Sequence, residues 1–447
     1  MPPIDGVTDA VALSYADAVA ALTERGRFGI SLGLARVERL MAEAGHPELG
    51  ARGALVGGTN GKGSVVAMVR SVLGAAGYRV GTMPKPHLVS YRERIAVDGE
   101  PIPAADFAAA VGRMLPAIDR VAADVGPPTE FEALTAAAIA ELSRRQVDLA
   151  VVEVGLGGRL DATNVLDLGV AAITNVQRDH ERYLGSTLTA IGREKAPIIK
   201  AGNLAVTGAS GHGLRPILDR AAALGVPLRR AGPRQPYDST LRATGWDGIS
   251  IDLRTPERTL GDLRVGLLGA HQAGNAAVAV AVVDAIAERW AMPVGDDAVR
   301  RGLADARWPG RLELLDAARL GAGRVLLDGA HNPAGAEALA RALADLGLRR
   351  PSIVFGAMRG KKVRRVLAAL APLEPRFVFT AVDDPGAHAP SELAAAWSAL
   401  GGRSRTEDDP ADAVRRAAAG GDPVVVAGSL YLVGAVRGMI TGTREED

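Results

Sequence analysis

The chain reads as an α/β protein of two domains, each a mainly parallel sheet covered by helices, with a small β insertion closing the first. Three observations predict this. Short runs rich in Val, Ile, Leu and Phe alternate with longer Ala-rich stretches of helical period. The 54 glycines and 26 prolines fall mostly between those runs, where turns are needed. The length, 447 residues, exceeds the roughly 100–200 residues that one core usually organises.

The apolar runs at 54–57, 149–154, 170–176, 325–327, 353–355, 377–380 and 424–427 have the continuous character of strands buried on both faces. The stretches 65–76, 104–123, 132–144, 334–345 and 363–371 place apolar residues three or four apart, as covering helices do. Strand followed by helix, repeated, implies right-handed crossovers and parallel pairing, and ligands then bind beyond the carboxyl ends of the strands. Residues 226–268 differ in texture, with short alternating segments and Pro and Gly turns, and are expected to form the antiparallel insertion. After a helical stretch at 273–291, Arg307-Trp308-Pro309-Gly310-Arg311 interrupts the pattern, and a new strand–helix series is expected from Arg324. The expected domains are therefore 1–306 and 307–447.

Composition removes several function classes. Lys and Arg total 52 against 51 Asp and Glu, a net charge of +1, which leaves no global field for nucleic acid or an anionic membrane. Absence of cysteine excludes disulfides, zinc–thiolate sites, iron–sulfur clusters and thiol nucleophiles. Any metal must be held by oxygen or imidazole nitrogen. No run is long and apolar enough for a membrane span, and residues 1–17 lack the pattern of a secretory leader, so a cytoplasmic protein is expected.

The sharpest local signal is Gly57-Gly58-Thr59-Asn60-Gly61-Lys62-Gly63-Ser64, between an apolar strand and an amphipathic helix. Glycines let backbone N–H groups approach phosphate oxygens, the helix offers its positive end, and Lys62 can reach the terminal phosphates. Use of a nucleoside triphosphate is implied, with a plain glycine turn as the alternative. Glu153 ends an apolar run, where an acid needs a partner such as a metal or an arginine, Arg159 for example. His180, in Thr174-Asn175-Val176-Gln177-Arg178-Asp179-His180, stands beyond the next strand; the two residues could share a cation or be ordinary hydrogen-bonded groups. Lys195, close to Pro197, looks on its own like a surface lysine. In the second half, Arg311 and Asp328-Gly329-Ala330-His331-Asn332-Pro333 form a polar strand-to-helix cluster suited to a phosphate and a ribose hydroxyl, although Asn332 before Pro333 also suits a helix cap.

Taken in order, these segments resemble the folylpolyglutamate synthase/dihydrofolate synthase family, within the Mur ligase superfamily. The resemblance also rests on Pro86-His87-Leu88 with Glu93-Arg94-Ile95, Phe131-Glu132, Glu153 to Asn164, Glu194-Lys195, His271-Gln272 with Asn275, Trp308 to Glu313, and Gly428-Ser429-Leu430-Tyr431. It implies a Mur-ligase-like fold, with an N-terminal P-loop ATPase domain and a C-terminal Rossmann-like domain. It also implies ATP-dependent amide formation between a folate-type carboxylate, dihydropteroate or a folyl glutamate, and L-glutamate through an acyl phosphate.

Residue by residue, it implies that Gly58, Thr59, Asn60, Gly61, Lys62, Gly63 and Ser64 hold the ATP phosphates. Asn275 would meet adenine, Arg311 a phosphate and Asp328 the ribose, with His331 beside them. Mg²⁺ would be held by Ser64, Glu153, His180 and Lys195, the lysine as a carbamate, and Lys62, His180 and Lys195 would serve the chemistry. Lys85, His87, Phe131, Arg159, Asp161 and Ala162 would face the acyl substrate. A monomer acting on small molecules is expected.

The chain departs from the family's pattern chiefly around substrate. Lys85 stands where a serine, commonly a magnesium ligand, precedes Pro-His, and it is expected to contact the phosphates and alter the metal demand. Glu130 occurs where an aromatic is common, Gly360-Lys361-Lys362 replaces an Asp-Lys-Asp-like run, Ala387-His388-Ala389 replaces an Arg-Ala pair, and Pro197 takes a glycine's place. These differences leave room for a Mur-ligase-type amide synthetase acting on a different carboxylate and amine.

Overall fold

The computed structural model describes residues 11–26 and 33–443, so the first ten positions of the stretch tested for a leader lie outside the described residues. Within them the strands are β1 Gly53–Gly57, β2 Val80–Met83, β3 Ala96–Val97, β4 Glu100–Pro101, β5 Leu149–Glu153, β6 Gly169–Ile173, β7 Leu204–Thr207, β8 Leu228–Arg230, β9 Asp238–Gly245, β10 Gly248–Arg254, β11 Thr259–Val265, β12 Arg311–Asp316, β13 Arg324–Asp328, β14 Ser352–Phe355, β15 Arg376–Thr380, β16 Ser404–Glu407 and β17 Val424–Ala427. They form an eight-stranded sheet in the order β4-β3-β2-β5-β1-β6-β7-β8, a three-stranded sheet β11-β10-β9, and a six-stranded sheet β12-β13-β17-β14-β15-β16.

Side-chain alternation explains why the first sheet is apolar throughout. On β1, Leu55 packs with the helices Tyr15–Gly26, Ala35–Glu43, Ala104–Val125 and Glu130–Arg144 on one face. Ala54 and Val56 turn to the helices Lys62–Ala75 and Gln272–Trp290 on the other. Strands β5 and β6 repeat the pattern, Val152 and Ile173 facing one way, Val151 and Val170 the other. In the second sheet Phe355, Phe377 and Phe379 form one core with Trp397, while Val354, Val378 and Val426 form another. Phe377 and Phe379 stack at 5.0 Å, and Trp397 meets Phe377 edge-on at 4.9 Å.

All the strands expected from apolar runs are present. Two segments differ from expectation. β8 joins the large sheet in parallel with β7 rather than the insertion, which is confined to the antiparallel strands β9–β11, packed against the helix Gln272–Trp290. Its sequence, Leu228-Arg229-Arg230, is that of a half-buried edge and lacks an apolar run. The second sheet begins at Arg311, earlier than the expected Arg324, because β12 pairs antiparallel with β13; as an edge strand with one covered face it carries Arg311, Glu313 and Asp316 among its leucines. Among the described residues no helix is long and apolar enough to cross a membrane.

Parallel register brings the carboxyl ends of the central strands level, with Val56 beside Glu153 and Gly57 beside Ile173. The loops that follow β1, β5 and β6 therefore emerge side by side at one edge. The second sheet faces that edge with the ends of β13 and β17.

Phe379, fully buried between Phe355, Phe377 and the helices over them, should be the costliest single truncation in the second sheet. Phe379→Ala is expected to lower unfolding free energy by about 3–5 kcal/mol, read from urea denaturation; a loss under about 1 kcal/mol would contradict this packing.

Candidate functional site

A cavity of about 850 Å³ opens where the loops after β1, β5 and β6 meet the loops after β13 and β17. Its floor is the segment 58–64. Gly58 has φ +143°, and a Cβ there would lie 1.9 Å from the Thr174 hydroxyl; at Gly61, φ +79°, a Cβ would lie 2.5 Å from Asn275 Oδ1. Only glycine allows those approaches. The loop is then tied to the turn after β6: Thr174 Oγ1 and Asn175 Nδ2 donate to the Asn60 carbonyl at 2.7 and 2.9 Å, and Asn60 N–H donates to Asn175 Oδ1 at 3.0 Å. The helix Lys62–Ala75 starts at Gly61, so its unpaired N–H groups point towards the cavity. Lys62 Nζ donates to the carbonyls of Gly58 and Thr59, both at 3.2 Å, folding back over its own loop.

Glu153 ends β5 at 5% exposure. Its Oε2 accepts the Lys85 N–H at 3.1 Å. Burial pushes its carboxyl above the usual range, against Lys62, the Lys85 N–H and Arg311. Arg159, offered above as a partner, instead pairs with Glu194 at 3.1 Å and is half exposed. His180 lies seven residues beyond β6 as the first residue of a short helical turn, with φ 48°. Burial holds its imidazole below the usual value, Asp179 partly opposing. Asp179, though burial opposes its charge, is held low by His180 and Lys361.

Lys195 corrects its surface reading. It is 3% exposed, and its Nζ donates to the Gly58 carbonyl at 2.9 Å. Burial, with Lys62 nearby, pulls its ammonium down to about 7. The reason lies in the fold: the helix Leu188–Lys195 packs its last turn beneath the phosphate loop, a placement that local sequence does not encode.

Across the cavity, Asp328 closes β13; it accepts N–H bonds from Leu312 at 3.0 Å and Ala330 at 2.9 Å. Burial raises its carboxyl, opposed by Arg311. His331, lowered to about 4 by burial, is neutral near pH 7, and its Nδ1 lies 2.8 Å from the Gly329 carbonyl. Asn332 does cap the helix Pro333–Asp345, accepting from Gly335 N–H at 2.8 Å, and its Nδ2 also reaches Asp179 at 3.3 Å. Asn275 lies against the phosphate loop, with Nδ2 donating to Gln272 at 2.8 Å.

The cavity thus gathers residues 58–64, Glu153, His180, Lys195, Asn275, Arg311, Asp328, His331, Lys85 and His87. Phe131, Arg159, Asp161 and Ala162 are not on its main wall. Asp161 is 4% exposed and caps its own turn through Leu156 and Thr163, and Ala162 is buried beside it. Sequence reading assigned no role to three residues found here. Trp308 covers Gly63, where a Cβ would meet its ring at 2.5 Å. Arg94, quoted above only within a motif, is buried on the wall, and Lys361 extends into the cavity from the second sheet. Tryptophan in a linker beside a glycine-rich loop was the one signal available for Trp308.

Among the described residues no three His, Asp or Glu side chains converge as a metal cage. The set still suits a hard cation: among the described residues Glu153 faces the cavity with Oε1 unbonded, and Ser64 lines the same cavity with its hydroxyl bonded only by Gln272 Nε2 at 3.3 Å. Magnesium takes few protein oxygens and completes its shell with phosphate and water.

Residues 108–283 match the Mur ligase middle domain, and residues 310–430 match the Mur ligase, glutamate ligase domain. The dihydrofolate synthase/folylpolyglutamate synthase of Bacillus subtilis is 35% identical over 434 residues, 95% of this chain and 98% of the relative. The folylpolyglutamate synthase of Mycobacterium tuberculosis, solved with ADP and AMPPCP, superposes with a TM-score of 0.86 at 34% identity, covering 95% of this chain and 99% of that one. Escherichia coli FolC, solved with DHPP and ADP, gives 0.84 at 31% identity, covering 97% and 99%. With its fold and nearly its whole length shared with these proteins, the chain belongs to the dihydrofolate synthase/folylpolyglutamate synthase family of Mur ligases.

Proposed function

We propose that the protein is an ATP-dependent ligase that joins a folate-type carboxylate, dihydropteroate or a folyl glutamate, to L-glutamate. One observation carries the reading: the phosphate loop of the first sheet and the Arg311–Asp328 pair of the second face one cavity, so a nucleotide held by both would present its terminal phosphate beside Glu153 and Lys195. Residues 1–306 would form the ATP-binding unit and 307–447 the ligase unit, working as a cytoplasmic monomer.

A carboxylate oxygen attacks the γ-phosphorus in line, the bond from that phosphorus to the bridging oxygen breaks, and ADP leaves an acyl phosphate. The amino nitrogen of glutamate attacks the acyl carbon, the carbon–oxygen bond to phosphate breaks, and a proton is released with phosphate. In this chain the N–H groups after Gly61 and the Lys62 ammonium cradle the phosphates, Arg311 and Asp328 fix the nucleotide's other end, and the enclosing walls keep water from the acyl phosphate.

Ser64, Glu153, His180 and Lys195 would hold Mg²⁺, which supplies positive charge to the phosphate oxygens. As an ammonium, Lys195 would repel such an ion. A carbamate reverses that: CO₂ bonds to the neutral amine, a proton leaves, and the remaining N–H can keep its bond to the Gly58 carbonyl. A value of about 7 supplies neutral amine at physiological pH.

Lys62→Ala is expected to lower kcat for ADP formation with dihydropteroate and L-glutamate by about 10²–10³-fold. In the same assay, ADP formation with another acid and amine but not with this pair would transfer the reading to that substrate. Carbon-13-labelled bicarbonate should give a carbamate signal in the NMR spectrum that Lys195→Ala abolishes. Because the protonated amine cannot react, the signal should weaken as pH falls below about 7; a signal unchanged in the variant would refute carbamylation at this site.

A further inference from the structure

Two cations stand at one end of the cavity, and neither has a carboxylate within ion-pair distance among the described residues, although the charges of Asp161, Glu130 and Glu153 reach them. The Lys85 ammonium lies 3.7 Å from the centroid of the Phe131 ring, over its face. Arg94 is 7% exposed; its Nε donates to His87 Nδ1 at 3.1 Å, and its buried Nη1 has no acceptor. His87, lowered to about 3 by burial and by Arg94, is neutral and contributes no charge. Both cations line the cavity, and neither forms an ion pair among the described residues.

The acids whose charge reaches them hydrogen-bond other groups and not the two cationic side chains. Asp161 takes the N–H groups of Leu156 and Thr163 and the Thr163 hydroxyl at 2.5–3.1 Å. Glu130 takes the Tyr91 hydroxyl at 3.0 Å, and Glu153 takes the Lys85 backbone N–H. Burying one cation without a partner is costly, and two adjacent ones more so, unless an anion completes the group. The arrangement is a cavity wall on which two cationic groups have no bonded anion, with an aromatic ring beneath one of them.

We propose that Lys85 and Arg94 form a seat for the carboxylate of the acyl substrate, neutralising it with protein charge. This rests on the ligase reading above and deepens it by naming the group that recognises the acid. The seat adjoins Lys62, whose field reaches the Lys85 ammonium, and so lies beside the phosphate loop. Two anions, a carboxylate and a phosphoryl group, must approach each other there, and fixed cations reduce their repulsion without moving. Arg94, on the cavity wall, supplies the directional guanidinium contact, and the ammonium held on the Phe131 face supplies the charge.

The test is calorimetric titration of the ADP-bound enzyme without divalent cation, using dihydropteroate and its carboxamide, and para-aminobenzoate and para-aminobenzamide. Wild type is expected to prefer each acid over its amide by about 10- to 100-fold. Lys85→Ser should reduce that preference to a few-fold while leaving amide affinity nearly unchanged, and Arg94→Lys should keep part of it. Retained ADP affinity establishes that the variants fold.

Equal weakening of acid and amide would make Lys85 a packing residue and overturn the proposal. Weakened AMPPCP relative to ADP, with the acid preference intact, would also overturn it, by assigning the cations to the nucleotide. If dihydropteroate does not bind wild type but the aminobenzoate pair keeps a Lys85-dependent preference, the folate reading falls and the seat stands. If wild type prefers neither acid, the seat falls.

Discussion

The site depends on how closely the segment 58–64 is surrounded. Thr174 presses on Gly58, Asn275 on Gly61 and Trp308 on Gly63, each closer than a side chain would allow. Those neighbours come from the turn after β6, from the start of the helix Gln272–Trp290 and from the segment joining the two sheets. Three distant parts of the chain therefore meet on one loop. Its shape is set by steric exclusion together with the bonds that link Asn60 to Thr174 and Asn175 and Gly58 to Lys195, which leave the N–H groups at the start of the helix Lys62–Ala75 for a ligand.

Around that loop charge is distributed unevenly. Lys62, Lys85, Arg94, Lys195, Arg311, Arg341 and Lys361 line a volume that also holds the carboxyls of Glu130, Glu153, Asp179 and Asp328, and burial opposes ionisation of Glu153 and Asp328. A region so arranged is tuned to receive anions. The chain as a whole carries a net charge of +1, so the attraction is local and draws in small charged ligands rather than polyanions.

Most sheet strands buried on both faces announced themselves as continuous apolar runs, though β2 and β7, equally buried, did not, because glycine and threonine interrupt the first and threonine ends the second; the phosphate loop announced itself by its glycines. Edge strands did not: β8 and β12 mix arginines and acids with leucine because half their surface meets water or a ligand. Site residues were legible when they sat at strand ends, as Glu153 and Asp328 do, since strand ends are where such sheets bind ligands. Lys195 was legible only through resemblance and Arg94 received no role at all, because what makes them unusual is burial supplied by distant chain. Arg159 shows the converse: a promising neighbour in sequence, it turns to Glu194 and away from the cavity.

The two sheets meet at contacts of unequal strength. At the rim, Lys362 pairs with Glu181 at 3.0 Å and Asn332 reaches Asp179 at 3.3 Å. The ion pair is half exposed on its lysine side, and such pairs contribute only about 0–1 kcal/mol. Deeper, Gly434 packs so tightly on the Leu88 carbonyl that a Cβ would lie 1.8 Å from it, and Gly310 meets the Leu88 side chain. A weak polar rim with a packed seam behind it suits rotation about the seam more than separation of the sheets. The rim partners in the first sheet, Asp179 and Glu181, flank His180. The rim contacts between the two sheets therefore hold the turn that carries this histidine from both sides.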